Sequence, residues 1–126
     1  MASEKFIIPY PPNPAGKRQW CSQYGLNAFW AGMHWSKRKA AADYWHRLTK
    51  HNMDGQNVRR EPFKKPVIIT MYFNDNMDSI NHSAVFKMIE DAMKGRVIED
   101  DSRRFVRGSE IYFHEGNYIQ VVVKEI

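Results

Sequence analysis

The segment from residue 66 to residue 95 constrains the fold more than any other part of the sequence. It opens with PVIITMYF (residues 66–73), a β-branched and aromatic run that is typical of a buried central strand. From Ile80 onward, apolar residues recur at three- and four-residue spacings, and this pattern predicts a helix over residues 81–94. Gly95 follows at a position where helices commonly end. A buried strand followed by an amphipathic helix predicts that the helix covers a sheet.

The N-terminal half contributes one predicted strand and one predicted helix. KFIIPY (residues 5–10) indicates a short strand, and the following PPNPAG indicates a break in regular structure. Residues 17–35 are rich in aromatic side chains and are predicted to form an irregular loop. Ser36 can then cap a helix over residues 37–50. The apolar stripe of this helix consists of Ala41, Tyr44, Trp45 and Leu48.

The C-terminal segment, residues 103–126, is predicted to form a β-hairpin that turns at HEGN. The elements then follow in the order strand, helix, strand, helix, strand, strand. This order predicts an α+β fold, an α/β sandwich in which two helices cover a mixed β-sheet. A strand–helix–strand crossover in that sheet is expected to be right-handed. With 126 residues, 43% of them hydrophobic, the chain is long enough for one domain with a real core and too short for two, so residues 1–126 are expected to form a single domain.

The sequence does not indicate a membrane-spanning protein or a disulfide-stabilised protein. The longest apolar runs, such as FIIPY and QVVV, are far shorter than the ~20 residues of a membrane span. The N-terminal MASEKF lacks the basic-then-apolar layout of a signal peptide. The single cysteine, Cys21, can form neither an internal disulfide nor a zinc ribbon. We therefore expect no membrane partner and a reducing, cytoplasmic setting.

Charge is distributed unevenly along the chain. The formal net charge is +5 and the pI is about 9.4, yet residues 75–101 carry seven acidic side chains against three basic ones. One interpretation is a basic surface that binds a polyanion, beside an acidic pocket that binds a cation. The other, which charge alone favours, is a solvated acidic helix followed by an acidic turn. The basic excess itself indicates nucleic acid as the partner, because Lys and Arg contacts to phosphate supply most of the affinity in such complexes.

Carboxylates flank the second predicted helix on both sides. They are Asp78, Asp91, Glu99, Asp100 and Asp101. If the chain doubles back after this helix, these groups can converge, and two or three carboxylates that leave waters in place are typical of Mg²⁺ sites in phosphoryl transfer. Such a metal ion would activate water and stabilise charge on a phosphate. Lys87, one turn before Asp91, could place an ammonium group beside that phosphate.

Simpler interpretations exist for the same residues. Asp78 is at a position where acidic side chains commonly cap a helix, and Lys87 with Asp91 could be a solvent-exposed ion pair. The paired acids at residues 100 and 101 could be turn residues that shield the arginines at 103 and 104. His82 is expected to be a surface or partly buried residue rather than a ligand or a base. Each simple interpretation is favoured for its residue taken singly, but the joint occurrence of these residues is harder to explain in this way.

Aromatic and basic residues interleave between residues 17 and 39, a composition that would suit unstacked bases or a distorted DNA junction. Aromatic side chains more often belong to the core, and Phe29, Trp30 and Trp35 are predicted to be mainly packed. The predicted DNA-binding residues are Lys17, Arg18, Lys37, Arg38, Lys39, Arg103 and Arg104.

Three motifs in this order carry a likeness to a known family. NDNMDSINH, KMIEDAM and VIEDDSRRFV, with the order of elements around them, resemble the RusA-type Holliday junction resolvases of bacteria and their phages. The resemblance covers nearly the whole chain. It implies a homodimeric endonuclease that depends on Mg²⁺, with Mn²⁺ as an alternative, and nicks two strands of a four-way DNA junction symmetrically.

The resemblance also implies roles for individual residues. It implies catalytic roles for Asp78, Lys87, Asp91 and Asp101, and metal ligation by Asp78, Asp100 and Asp101. The family's turn reads Asp, any residue, Asp, Asn, whereas residues 76–79 here are NMDS. One carboxylate is therefore missing or moved, and Asn81 and His82 are candidates to replace part of its role. Two other functions stay open: a non-catalytic DNA-binding module of the same fold, and a structural protein with an acidic surface helix.

Overall fold

The computed structural model describes residues 2–30 and 32–126, without the side chains of Phe29 and Trp30. In chain order the elements are β1 (Ser3–Pro9), α1 (Pro14–Tyr24), α2 (Leu26–Trp30), α3 (Trp35–Gly55), β2 (Val67–Phe73), α4 (Ser83–Met93), β3 (Val106–Phe113) and β4 (Tyr118–Glu125). A short 3₁₀ turn (Ser79–His82) precedes α4. Helices combined with a four-stranded mixed sheet confirm the predicted α+β class.

The strands of the sheet lie in the order β1, β4, β2, β3. Strand β4 is antiparallel to both β1 and β2, whereas β3 is parallel to β2. The predicted C-terminal hairpin is therefore wrong, because the apolar strand β2 lies between β3 and β4. The turn between them crosses the end of β2 and is bonded to it, since the His114 amide donates to the Phe73 carbonyl at 3.0 Å.

One face of the sheet is buried against the helices. Its buried residues are Phe6, Ile8, Val67, Ile69, Met71, Phe73, Ile119, Val121 and Val123. They form one core with Trp45 of α3 and with Val85 and Ile89 of α4. The alternate residues point to the other face, where most stay at least partly exposed. We call this the open face: Lys5, Ile7, Ile68, Thr70, Tyr72, Glu110, Tyr112, Gln120, Val122 and Lys124.

The N-terminal region is more helical than the sequence indicated. Helix α1 starts inside PPNPAG, because the Asn13 side chain accepts a hydrogen bond from the Gly16 amide at 2.6 Å and Pro14 occupies the first turn. Trp20 and Tyr24 of α1 are buried, with ring centres 5.2 and 5.4 Å from that of Trp45. The predicted irregular loop over residues 17–35 is thus wrong.

Trp35 also departs from its predicted packing, since it is 70% exposed. The predictions for the Phe29 and Trp30 side chains concern parts of the chain that the structure does not describe.

Helix α3 is longer than predicted at both ends. It begins at Trp35, where His34 rather than Ser36 is the cap and accepts a hydrogen bond from the Ser36 amide at 3.2 Å. It continues to Gly55 because the buried stripe of Ala41, Trp45 and Thr49 extends to Met53. None of the helices in residues 2–30 and 32–126 is both long and apolar enough to span a membrane.

Candidate metal and nucleic-acid site

One face of α4 carries three charged side chains, Lys87, Glu90 and Asp91, and the cap residue Lys94 adds a fourth at the end of the helix. The opposite face is apolar and anchors the helix, with Val85 and Ile89 fully buried. The predicted helix is confirmed except at its start, where residues 79–82 form the 3₁₀ turn. Burial of one face therefore fixes the direction in which the charged face points.

The loop after α4 turns the chain back towards this face. Gly95 adopts a left-handed conformation with φ of +80°, which favours glycine at the end of the helix. The Val97 and Ile98 amides donate to the Met93 carbonyl at 3.0 and 3.3 Å, and both side chains are buried. These contacts anchor the loop, and the acidic turn after it places Asp101 against α4.

Three carboxylates converge at this point. One oxygen each from Glu90, Asp91 and Asp101 lies within 4.8 Å of the others, and we call these residues the acidic cluster. Lys87 Nζ contacts Asp101 and lies 3.0 Å from Asp91 Oδ1. Lys94 Nζ lies 3.1 Å from both Asp91 Oδ1 and Asp101 Oδ2. Two ammonium groups thus neutralise most of the charge of three acids.

The electrostatics of the cluster keep Asp101 ionised. Hydrogen bonds from Lys87 and Lys94 lower the pKa of the Asp101 carboxyl to about 2. The same contacts raise the pKa of both lysines, that of Lys87 mainly through Asp101. Burial raises the pKa of Glu90, whose side chain is 10% exposed. The anionic oxygen that a cation needs is therefore available throughout the neutral pH range.

The structure brings together Lys87, Asp91 and Asp101 among the predicted site residues. Asp78 and Asp100 lie outside the acidic cluster, and both are exposed. Asp78 is at the cap position of the 3₁₀ turn, but its side chain makes no capping hydrogen bond. The metal roles of these two residues stay predictions.

Glu90 and Lys94 belong to the site but were not assigned to it from the sequence. Glu90 follows Lys87 by three residues on the charged face of α4, and the cap residue Lys94 follows it by seven. Helical spacing could have found them, because residues three, four and seven apart share one helix face. What spacing could not supply is the position of the loop that contributes Asp101.

A groove of about 270 Å³ beside the acidic cluster carries mainly positive charge. We call it the basic groove, defined by His46, Lys50, Arg60, Lys94 and Arg96. Asp54 next to it pairs with Arg60 at 3.2 Å and also contacts Arg96. Lys94 links the groove to the acidic cluster.

The seven predicted DNA-binding residues lie at three places on the surface. Lys17 and Arg18 are on α1, residues 37–39 are exposed in the first turns of α3, and residues 103 and 104 are exposed before β3. The positive charge of Lys39 is partly compensated by Asp43, whose Oδ2 lies 2.9 Å from Lys39 Nζ. Their contact with DNA stays a prediction, and the basic groove adds a fourth cationic region.

A pair of titratable side chains lies in the interior. The side chains of Asp75 and His82 are fully buried, with His82 Nε2 at 2.8 Å from Asp75 Oδ1. His82 Nδ1 faces the Ser79 carbonyl oxygen at 3.0 Å. Each ring nitrogen of His82 thus lies within hydrogen-bonding distance of an oxygen atom. The Tyr10 hydroxyl also donates to Asp75 at 2.7 Å, and these hydrogen bonds offset burial to lower the pKa of Asp75.

His82 was predicted to be a surface or partly buried residue, whereas it is fully buried. Its ring lies against Phe73, with ring centres 4.1 Å apart, and this contact connects the end of the 3₁₀ turn to the end of β2. The pair is inaccessible to a substrate and serves to position the segment before α4.

No protein-family model matches the chain, and a search of curated proteins also found no match.

Proposed function

We propose that the protein is a Mg²⁺-dependent endonuclease that nicks branched DNA, with a four-way junction as substrate, in the cytoplasm of a bacterial or phage-infected cell. The observation that carries this proposal is the acidic cluster beside the basic groove. One side can hold a divalent cation and the other can hold the phosphates of a strand. The motifs that resemble RusA-type resolvases support the same function.

The donor chemistry of the acidic cluster fits Mg²⁺ or Mn²⁺. Oxygen ligands around one Mg²⁺ lie about 3–4 Å apart, so the three carboxylates need only a small side-chain adjustment. The lysine side chains are 55% and 35% exposed and can swing towards solvent or a phosphate. A bound ion would supply activation of water and neutralisation of charge on the scissile phosphate. Glu90, Asp91 and Asp101 would hold it.

Metal binding can be tested by titrating the protein with Mn²⁺ and measuring free Mn²⁺ by electron paramagnetic resonance. We expect one site per chain, lost in Asp101→Asn and kept in Asp43→Asn, which removes an acid on α3. Binding that is equal in wild type and Asp101→Asn contradicts this metal site.

Lys87 is proposed to neutralise charge that develops on the phosphate. Its ammonium lies among the carboxylates that would hold the metal, and its side chain is more than half exposed. Lys87→Ala should lower the single-turnover cleavage rate by ~10²-fold with little change in junction affinity. Lys64→Ala, at an exposed position before β2, is the matched control. A loss of affinity without a loss of rate would make Lys87 an ordinary phosphate contact.

One observation favours a second function, a non-catalytic DNA-binding module. Lys87 and Lys94 neutralise the acidic cluster internally, as in an ion-pair network that serves stability alone. Such a protein would bind DNA through the basic groove without cutting it. Metal-dependent cleavage separates the two functions.

A homodimer is part of the proposed function, because resolution of a four-way junction needs two opposed nicks and the described part of one chain contains one acidic cluster. The expected dimer surfaces need revision. Phe86 is only 6% exposed, and the YIQVVV strand is inside the sheet rather than at its edge. The open face, with Ile7, Ile68 and Val122 partly exposed, is the surface that a second copy would cover.

Sedimentation equilibrium at micromolar concentration and moderate salt should give a dimer of the 14.9 kDa chain. Val122→Glu should dissociate it, because a charge would be placed in the paired open faces. Ile80→Glu is the control, since Ile80 is 69% exposed outside this face. A wild-type monomer that still resolves junctions contradicts the dimer.

A further inference from the structure

A cavity of about 620 Å³ opens between α1, α2 and the segment that follows β2. Its volume is within the about 300–1,000 Å³ that is typical of pockets for small ligands. It shares no lining residue with the acidic cluster or the basic groove. It is therefore a separate place at which a ligand, or part of one, could be held.

The lining of the cavity has an excess of positive charge. Lys17 Nζ is held at 2.8 Å from the neutral Asn117 Oδ1, and Arg18 makes no hydrogen bond or ion pair with the described residues. Asp75 is the one acidic residue among the lining residues, but its side chain is fully buried and paired with His82. Two basic residues in the lining therefore stand against one acidic residue. The lining favours an anionic ligand.

The interior adds hydrogen-bonding groups to this charge. Four asparagines line it: Asn27, Asn74, Asn76 and Asn81. A carboxamide presents both a donor and an acceptor, the combination that pairs with the edge of a nucleobase. The Asn81 side chain is held in place because its Oδ1 accepts a hydrogen bond from the backbone N–H of Asn27 at 3.0 Å. Ala28 and Met77 provide apolar surface for the face of a base.

We propose that this cavity binds one nucleotide, with its phosphate against Lys17 and Arg18 and its base among the asparagine carboxamides. The nucleotide can come from an unpaired position of a DNA strand or from a free mononucleotide. The strand form rests on the proposed function, whereas the free form stands without it. In the strand form, the cavity reads one base of the bound junction and gives cleavage a sequence preference.

Cys21 provides a specific reporter, because it is the single cysteine of the chain and lines the cavity. Burial raises the pKa of its thiol to about 11, so alkylation is slow and its rate is easily followed at constant pH. The alkylation rate with N-ethylmaleimide is measured alone, with deoxynucleoside monophosphates, with a short single-stranded oligonucleotide, and with inorganic phosphate. A ligand at about ten times its Kd should slow alkylation by about tenfold.

Protection by mononucleotides indicates the free form, and protection by the oligonucleotide alone indicates the strand form. Arg18→Ala and Asn76→Ala should each reduce protection, whereas Lys64→Ala should retain it. Equal protection by inorganic phosphate, or equal loss in Lys64→Ala, overturns the proposal, because general electrostatic attraction would then suffice.

Fluorescence anisotropy with labelled DNA separates the two proposals. DNA that binds tightly without protecting Cys21, together with no protection by mononucleotides, overturns the cavity proposal and leaves the proposed function standing. Protection by mononucleotides in a protein that binds no DNA supports the cavity in its free form and counts against the proposed function.

Discussion

Asp101→Asn should reduce junction cleavage by ~10³-fold or more while junction affinity stays the same or rises. The Asp101 carboxylate is the meeting point of both lysines and lies in the acidic cluster. Losing it removes a charged ligand, and a bound metal contributes several kcal/mol to charge stabilisation in the transition state. It also removes a negative charge that repels phosphate. Cleavage rates and anisotropy measure the two effects separately.

Asp100→Asn is the matched control for this substitution. Asp100 is adjacent in sequence, exposed, and outside the acidic cluster. If the acidic cluster alone holds the metal, the cleavage rate of Asp100→Asn remains within a few-fold of wild type, and the metal role predicted for Asp100 from the sequence is then excluded. Unchanged cleavage in Asp101→Asn would exclude Asp101 from the site, and a large loss in Asp100→Asn would move the metal site towards the exposed part of the turn.

His82→Ala should lower the free energy of unfolding by about 3–5 kcal/mol, measured by urea denaturation. The substitution leaves the buried Asp75 carboxylate without the ring nitrogen that it contacts at 2.8 Å, and it removes the ring that packs on Phe73. His51→Ala, at an exposed position on α3, should change stability by less than about 0.5 kcal/mol. A similar small effect of His82→Ala would show that the interior pair does not support the fold.

The same pair predicts how stability depends on pH. Hydrogen bonds from His82 and Tyr10 lower the pKa of Asp75 below its usual 3.8. The unfolded chain therefore binds a proton at a higher pH than the folded chain does. The contribution of Asp75 is fully present above about pH 4 and is lost as the pH falls through the lowered pKa. Asp75→Asn should show a weaker loss of stability over this acidic range than wild type.

The strand β2 and the helix α4 were predicted correctly because several independent sequence signals coincide in this segment. The apolar run of β2, the three- and four-residue spacing of α4 and the glycine at residue 95 all point to the same elements. Helix α1 was missed because prolines usually interrupt regular structure, whereas Asn13 and Pro14 form the start of a helix. The hairpin was wrong because a short turn between two strands does not reveal that β2 lies between them.

The candidate site was predictable only where its contacts are local. Lys87 and Asp91 were paired correctly because they lie four residues apart on one helix. The contact of Asp101 with Lys87 depends on the loop through Gly95, and the burial of His82 with Asp75 depends on packing against β2. Neither is visible in a spacing pattern. Charge counting found the acidic segment, but only the fold selects which of its carboxylates converge.

The most direct test of a metal-dependent resolvase is an assay of a four-way junction with labelled strands, with Mg²⁺ and with EDTA. We expect paired nicks on opposed strands in Mg²⁺, with 5′ phosphate and 3′ hydroxyl ends, no nicks in EDTA, and an uncut linear duplex of the same sequence. Tight binding of the junction without cleavage in either Mg²⁺ or Mn²⁺ would contradict the account and favour the non-catalytic module.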